Sequence, residues 1–487
     1  MKPDDTSLAV KGFLNSLPLE KLTLFAVLII GAFYLFILPP NSAPDESVHF
    51  RAAYQNVSAV LGETSADVHS VAMRAADEKM VNDYSRFPDA HTIQYFREEL
   101  FKPLPEGGAE IVDVWRDSGV PHPYIYFPQT LGMLLGRALH ANPEWLYLLG
   151  RIFNLIFYAV CVWLAVKIAP IGRGVIALVA LYPMAIELAA SLNSDVYSMA
   201  LAMLALAQYL RIAYAKAPAR MRDLLLLLLT MALLGPPKVV FIPMLMLAFF
   251  LPGRCFETKK IALSFRVLVA TVCIGTVFVA LYVYLHRGDG GVPVVILPGE
   301  EVYGIPGLMA DPALFARTCK HTIEKYFEFY LHSMIGSGLG WLEIYINKVL
   351  VDAFLALSVV GAFLIAGGRR GSATDGPDLL LRDHSEPTLL LRDRIQFPVI
   401  FLLAALGTAI IMFVSWTAVG AWEIGGIQGR YFLPVFPMFI LFAARWKKPV
   451  RPFWLSDKVL VLATCCLHIF VLVSAWSIIS TRGTVAL

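Results

Sequence analysis

Charge is scarce in this sequence. Only 16% of its 487 residues are Asp, Glu, Lys or Arg, against about 25% in an ordinary soluble chain. The 40 basic and 37 acidic residues leave a formal charge of +3, which lacks the basic excess that a nucleic-acid partner requires. Cysteine is equally sparse. Of the six, five lie in or beside apolar runs, so neither a disulfide framework nor a zinc cluster is legible. No P-loop or dinucleotide fingerprint follows a strand, which argues against nucleotide-driven transport, and there is no His-Glu-x-x-His metal signature. A cleavable leader is also missing. The first apolar run is long and ends in Leu38-Pro39-Pro40 rather than a small-residue cleavage site, so it reads as a retained anchor.

What the chain has in abundance is apolar length. Apolar residues make up 58% of it, and the mean hydropathy is +0.66, which places it in the membrane class. A spanning helix needs about 20 apolar residues. Such runs occur near 22–40, 145–167, 174–192, 196–214, 267–285, 346–366, 396–414, 428–444 and 457–479. The stretch Leu224–Leu251 is interrupted by Gly235-Pro236-Pro237-Lys238 and reads as two short crossings. The expectation is an all-α polytopic membrane protein of about eleven transmembrane helices. With the N-terminus in the cytoplasm, 23 of the 40 basic residues fall on cytoplasmic segments, most of them in short loops. A single crossing at Leu224–Leu251 would reverse that bias for every later cluster.

The chain then divides into a cytoplasmic N-terminus and first helix (1–40), an extracytoplasmic loop domain (41–143), a first group of spans (144–285), a second extracytoplasmic segment (286–345) and C-terminal spans (346–487). The loop domain holds 14 acidic against 8 basic residues. Ser47–Leu61 and Ala66–Asn82 are helix-compatible, and the aromatic, Pro-rich 121–128 suits a membrane interface. Leu-Leu-Leu-Arg-Asp occurs twice, at 379–383 and 389–393. It reads as a duplication in a solvated cytoplasmic loop.

Chemistry concentrates at Pro44-Asp45-Glu46-Ser47-Val48-His49-Phe50-Arg51, immediately after the first helix. One reading is an acidic first turn of an interfacial helix, with Pro44 and the two carboxylates suited to its N-terminus. The other is a carboxylate base at the mouth of a membrane cavity. Among the cations, Lys238 sits at the break in an apolar stretch and either snorkels or binds phosphate. Arg430 lies at the start of an apolar run, where an anion or a paired carboxylate must offset it. Arg51 suits either partner. Arg151, inside the second long run, calls for an acidic partner such as Glu187 or Asp195, or for a functional role. Asn193, Ser194 and Asp195 include a helix cap. Trp341, after the glycines at 336, 338 and 340, either stacks on a sugar or anchors the interface, and Trp416 and Trp422 share that ambiguity. No metal set is assigned; Asp45, Glu46 and His49 have the chemistry to hold a divalent ion, and metal dependence is left open.

Four motifs carry a resemblance. They are Pro44-Asp45-Glu46-x-x-His49-Phe50-x-Ala52, Asn193-Ser194-Asp195, Gly338-Leu339-Gly340-Trp341-Leu342, and Ile427-Gln428-Gly429-Arg430-Tyr431-Phe432-Leu433-Pro434. In this order they resemble the bacterial membrane family called domain of unknown function 2142. An Asp-Glu pair opening the first outer loop also resembles membrane glycosyltransferases of the GT-C fold. That resemblance implies a GT-C-like architecture and sugar transfer from a polyprenyl-phosphate donor to an extracytoplasmic glycan, such as an O-antigen or other cell-envelope polysaccharide, or to a protein. It implies Asp45 as base with Glu46 and His49 in support. Lys238, Arg430 and Arg51 would bind the donor phosphate, and Arg151, Asp195, Trp341 and Tyr431 would be further cavity residues. The donor is a substrate, no resident cofactor is expected, and membrane lipids surround the chain in the bacterial cytoplasmic membrane, with the site facing outward. The rival expectations are a lipid-linked glycan transporter, which predicts inverted repeats, and an envelope scaffold, which tolerates loss of Asp45 and Arg430.

Overall fold

The structure, a computed structural model, describes residues 17–65, 70–86, 93–115, 122–285, 301–362, 389–443 and 456–481. The first apolar run forms α1 (Leu19–Ile37), which stops at the prolines that can donate nothing to a helical ladder. The loop domain follows as α2 (Glu46–Leu61), β1 (Ser70–Arg74), α3 (Ala75–Arg86), α4 (Ile93–Leu100), β2 (Ile111–Trp115) and α5 (Phe127–Ala138). Next come α6 (Pro143–Ile168), α7 (Arg173–Ala180), α8 (Pro183–Ala189), α9 (Asp195–Ala213), α10 (Met221–Leu234), α11 (Leu245–Phe249) and α12 (Lys259–Leu285). The remaining helices are α13 (Gly304–Ala310), α14 (Pro312–Ile335), α15 (Lys348–Val360), α16 (Leu391–Trp416), α17 (Phe436–Ala443) and α18 (Asp457–Ser480).

Six of the described helices are long and apolar enough to cross a membrane: α1, α6, α9, α12, α16 and α18. The eleven expected spans are therefore not matched by eleven long helices. The run 174–192 is split at Pro183 into α7 and α8. The interrupted stretch becomes α10, a 3-10 turn over Val239–Met244 and α11. The run 428–444 is a 3-10 turn, Gly429–Phe432, followed by the short α17. In each case proline interrupts the ladder. These pieces are tolerated because protein covers them: nearly every side chain of α7 and α8 is buried.

The core is built around α6, which packs against α1, α5 and α9; α18 closes on α1 and α7. Close approach of α5 to α6 depends on Gly132-Met-Leu-Leu-Gly136, because a Cβ at Gly132 would lie 2.2 Å from the Leu149 carbonyl oxygen. The interior position of α9, with 89% of its apolar window buried, matters most for the site, since Asp195 opens that helix.

Two local expectations change. The stretch Ala66–Asn82 is not one helix. It contains β1, which pairs antiparallel with β2 across about forty residues, and a long-range pairing leaves no local signal. The otherwise helical fold thus carries a two-stranded sheet among the described residues. The second Leu-Leu-Leu-Arg-Asp copy is not wholly a solvated loop: it runs into α16, and although Leu391 is exposed its last residue is not. Asp393 is fully buried and accepts hydrogen bonds from Tyr209 Oη (2.5 Å) and Tyr214 Oη (2.8 Å). The first copy lies outside the described residues.

Candidate functional site

Helix α1 runs into a buried turn whose backbone is left-handed at Asn41 (φ 61°) and Asp45 (φ 59°). Asn and Asp enter that region more readily than other residues with a side chain. The consequence is a division of labour between adjacent carboxylates. Asp45 occupies the position before α2 and its side chain caps nothing; it is half exposed. Glu46 starts the helix and is fully buried.

Glu46 is held by Arg151. Arg151 Nε donates to Oε1 and Nη2 to Oε2, both at 2.7 Å. The same guanidinium donates to the carbonyls of Leu38 (2.6 Å) and Pro39 (2.8 Å). The backbone N–H groups of Leu192 and Ala43 complete the carboxylate's shell at 3.0 and 3.2 Å. Arg151 therefore pairs with neither Glu187 nor Asp195. Glu46 has no oxygen left for a substrate or metal, so it belongs to the scaffold rather than to the reacting groups. The pair ties α1, α2 and α6 to the turn before α9.

Asp45 faces the other way, toward Arg430. Arg430 Nη2 donates to Asp45 Oδ2 at 3.0 Å, and its Nε lies 3.4 Å from Asp195 Oδ2. Asp195 also binds Lys238 Nζ. The Tyr431 ring lies 5.4 Å from the Arg430 guanidinium and 5.6 Å from Lys238 Nζ. Arg430 is 4% exposed, and its Nε and Nη1 make no well-formed hydrogen bond. Two carboxylates and two cations thus form one network in which the guanidinium retains unused donor capacity.

Local sequence explains how each group arrives. Asn193, one residue before the N-cap Ser194, accepts the Asp195 N–H on Oδ1 at 2.8 Å, and the Asp195 carboxylate is left to the cations. Lys238 projects from the Gly235-Pro236-Pro237 break. Arg430 sits in the 3-10 turn after Gly429, where a Cβ would lie 2.2 Å from the Tyr330 carbonyl oxygen and 2.3 Å from the Met334 nitrogen. Only glycine admits this approach to α14.

His49 lies one turn into α2 with Nδ1 2.8 Å from Tyr126 Oη. Burial pushes its pKa down to about 4; Asp195 and Asp45 oppose that, while Arg430 and Lys238 reinforce it. The imidazole is therefore neutral at ordinary pH. Tyr126 was not singled out by the sequence, although the aromatic, Pro-rich segment that contains it was.

Trp341 is 49% exposed. The Gly340 N–H donates to Glu187 Oε1 at 2.5 Å, and a Cβ on Gly340 would approach the Ser42 carbonyl oxygen at 3.3 Å. The glycine motif therefore packs beside the turn that carries Asp45. Arg51 turns elsewhere, donating to Asn82 Oδ1 at 3.4 Å. Among the described residues no three His, Cys, Asp or Glu side chains converge as a metal would require. Glu46, which the sequence offered as one such ligand, is committed to Arg151.

A family profile described as "Predicted membrane protein (DUF2142)" matches residues 28–439. The match covers most of the chain and all four motifs. No curated protein matches, and no solved structure does. The chain belongs to this family of membrane proteins.

Proposed function

We propose that this member of the family is a membrane glycosyltransferase of GT-C type, taking a sugar from a polyprenyl-phosphate donor. The acceptor is a cell-envelope glycan or a protein on the outer face of the bacterial cytoplasmic membrane. The observation that carries this reading is the meeting of Asp45, Asp195, Lys238 and Arg430 in one network, although Asp45 and Arg430 are 385 residues apart in sequence.

The chemistry follows from those groups. An acceptor hydroxyl attacks the anomeric carbon, the bond from that carbon to the phosphate oxygen breaks, and the lipid phosphate leaves with one more negative charge. Arg430 and Lys238 neutralise that charge; a buried guanidinium with unused N–H groups is suited to a phosphate. Asp45, half exposed, takes the proton from the hydroxyl. One displacement inverts the configuration and needs no second carboxylate as nucleophile. Neutral His49 holds Tyr126, and Glu46 acts only by positioning the turn. Trp341, beside that turn, offers a flat apolar face to a sugar.

The test is transfer of labelled hexose from a polyprenyl-phosphate donor by purified protein in lipid vesicles. Asp45→Asn keeps the left-handed backbone that Asn also tolerates. It is expected to lower transfer at least about 100-fold, the lower range for loss of a general base, while insertion and thermal stability stay unchanged. Full activity in this variant overturns the mechanism.

A further inference from the structure

The loop domain contains a cavity that the charged network does not use. It measures about 640 Å³ and lies between α2, α3 and β2, with Arg51, Glu78, Asn82, Asp113 and Trp115 in its wall. This volume falls in the usual range for small-ligand sites. Arg51 follows His49 by two residues, about 200° around a helix of 3.6 residues per turn. It therefore leaves α2 on the side opposite the imidazole, and the cavity is separate from the Asp45 network.

Its wall has three kinds of surface. Strand β2 alternates, so Asp113 and Trp115 are exposed while Val114 between them is buried. Trp115 is 54% exposed and supplies a broad flat apolar platform. On the facing helices, Arg51 Nη2 donates to Asn82 Oδ1, and Asn82 Nδ2 donates to Glu78 Oε1. That chain leaves Arg51 Nε buried without a hydrogen-bond partner, which is a cost unless a ligand accepts from it.

The chemistry narrows the ligand. Among the described residues the wall holds two carboxylates and one guanidinium, a balance that disfavours a phosphate or other anion. No three metal-ligating side chains converge among the described residues. A purely apolar ligand would leave the Arg51, Asn82 and Glu78 groups desolvated. A neutral sugar fits all three surfaces: its C–H face lies on an aromatic plane, and its hydroxyls both donate to carboxylates and accept from guanidinium N–H.

We propose that this cavity is a binding site for a neutral glycan, with Trp115 as stacking platform and Asp113 and the Arg51–Asn82–Glu78 chain reading the hydroxyls. The site does not depend on the transfer reading; it stands or falls on glycan binding alone.

Full-length protein in lipid nanodiscs is titrated calorimetrically with maltotriose, mannotriose and chitotriose. At least one is expected to bind saturably. Trp115→Ala and Asp113→Asn are each expected to weaken that binding about tenfold or more, and Trp115→Phe to restore most of it. Asp45→Asn, which tests the transfer reading, is expected to bind as the wild type does. Absence of binding by all three oligosaccharides, or unchanged binding in Trp115→Ala, overturns the proposal.

Discussion

Replacing Glu46 by Gln tests the division between the two adjacent carboxylates. The wild-type group accepts two hydrogen bonds from Arg151 and two from backbone N–H groups, and both partners of the ion pair are about 1% exposed or less. Glutamine keeps one oxygen but turns an NH2 toward either Arg151 or a backbone donor. The buried guanidinium then lacks a counter-charge. Breaking a buried pair from one side costs about 3–5 kcal/mol. At roughly 2–4 °C per kcal/mol for domains of 150–250 residues, the apparent melting temperature should fall by roughly 6–20 °C. Fluorescence-detected size-exclusion after heating reads that shift in detergent. The double variant Glu46→Gln with Arg151→Met should recover part of the loss, because the unpaired cation is gone. Asp45→Asn should stay within about 1 kcal/mol, because the Asp45 carboxylate is half exposed and Asp195 still neutralises Arg430. A Glu46→Gln protein as stable as wild type, or an equal loss in Asp45→Asn, refutes the assignment of scaffold and site.

Two further outcomes follow from the same geometry. A fold that holds His49 near pKa 4, below the ordinary 6.5, binds its proton later than the unfolded chain does. Its contribution is complete above pH 6.5 and is lost as pH falls toward 4, at up to about 1.4 kcal/mol per pH unit. The stability gap between wild type and His49→Gln should therefore narrow by about 1–2 kcal/mol between pH 7.5 and 5; a constant gap in denaturation at the two pH values contradicts a buried neutral ring. Gly429→Ala places a methyl against two backbone atoms of α14 that cannot rotate away. It should cost about 1–3 kcal/mol and, on the proposed function, weaken binding of a polyprenyl-phosphate donor by displacing Arg430; wild-type thermal stability refutes the close approach.

Much of the architecture is legible without coordinates because it is written in local chemistry. Apolar length marks all six long helices. Gly235-Pro236-Pro237 marks the break that carries Lys238. The less legible parts depend on distant partners. Nothing near Ser70–Arg74 announces a strand, because its ladder is completed by residues 111–115. The length of an apolar run also does not reveal whether Pro183 will split it inside a protein-lined core.

The candidate site divides along the same line. Its members, Asp45, His49, Asp195, Lys238 and Arg430, are conspicuous singly, as charge or imidazole beside long apolar stretches. Their pairing is another matter. Arg151 meets Glu46 across 105 residues rather than Glu187 or Asp195, and Arg51 turns away to Asn82. Composition and hydropathy establish where an uncompensated charge must find an opposite, because desolvation sets that demand locally. Which opposite it finds is decided only when helices pack, because Coulomb energy and hydrogen-bond geometry depend on a few ångströms of separation between groups hundreds of residues apart.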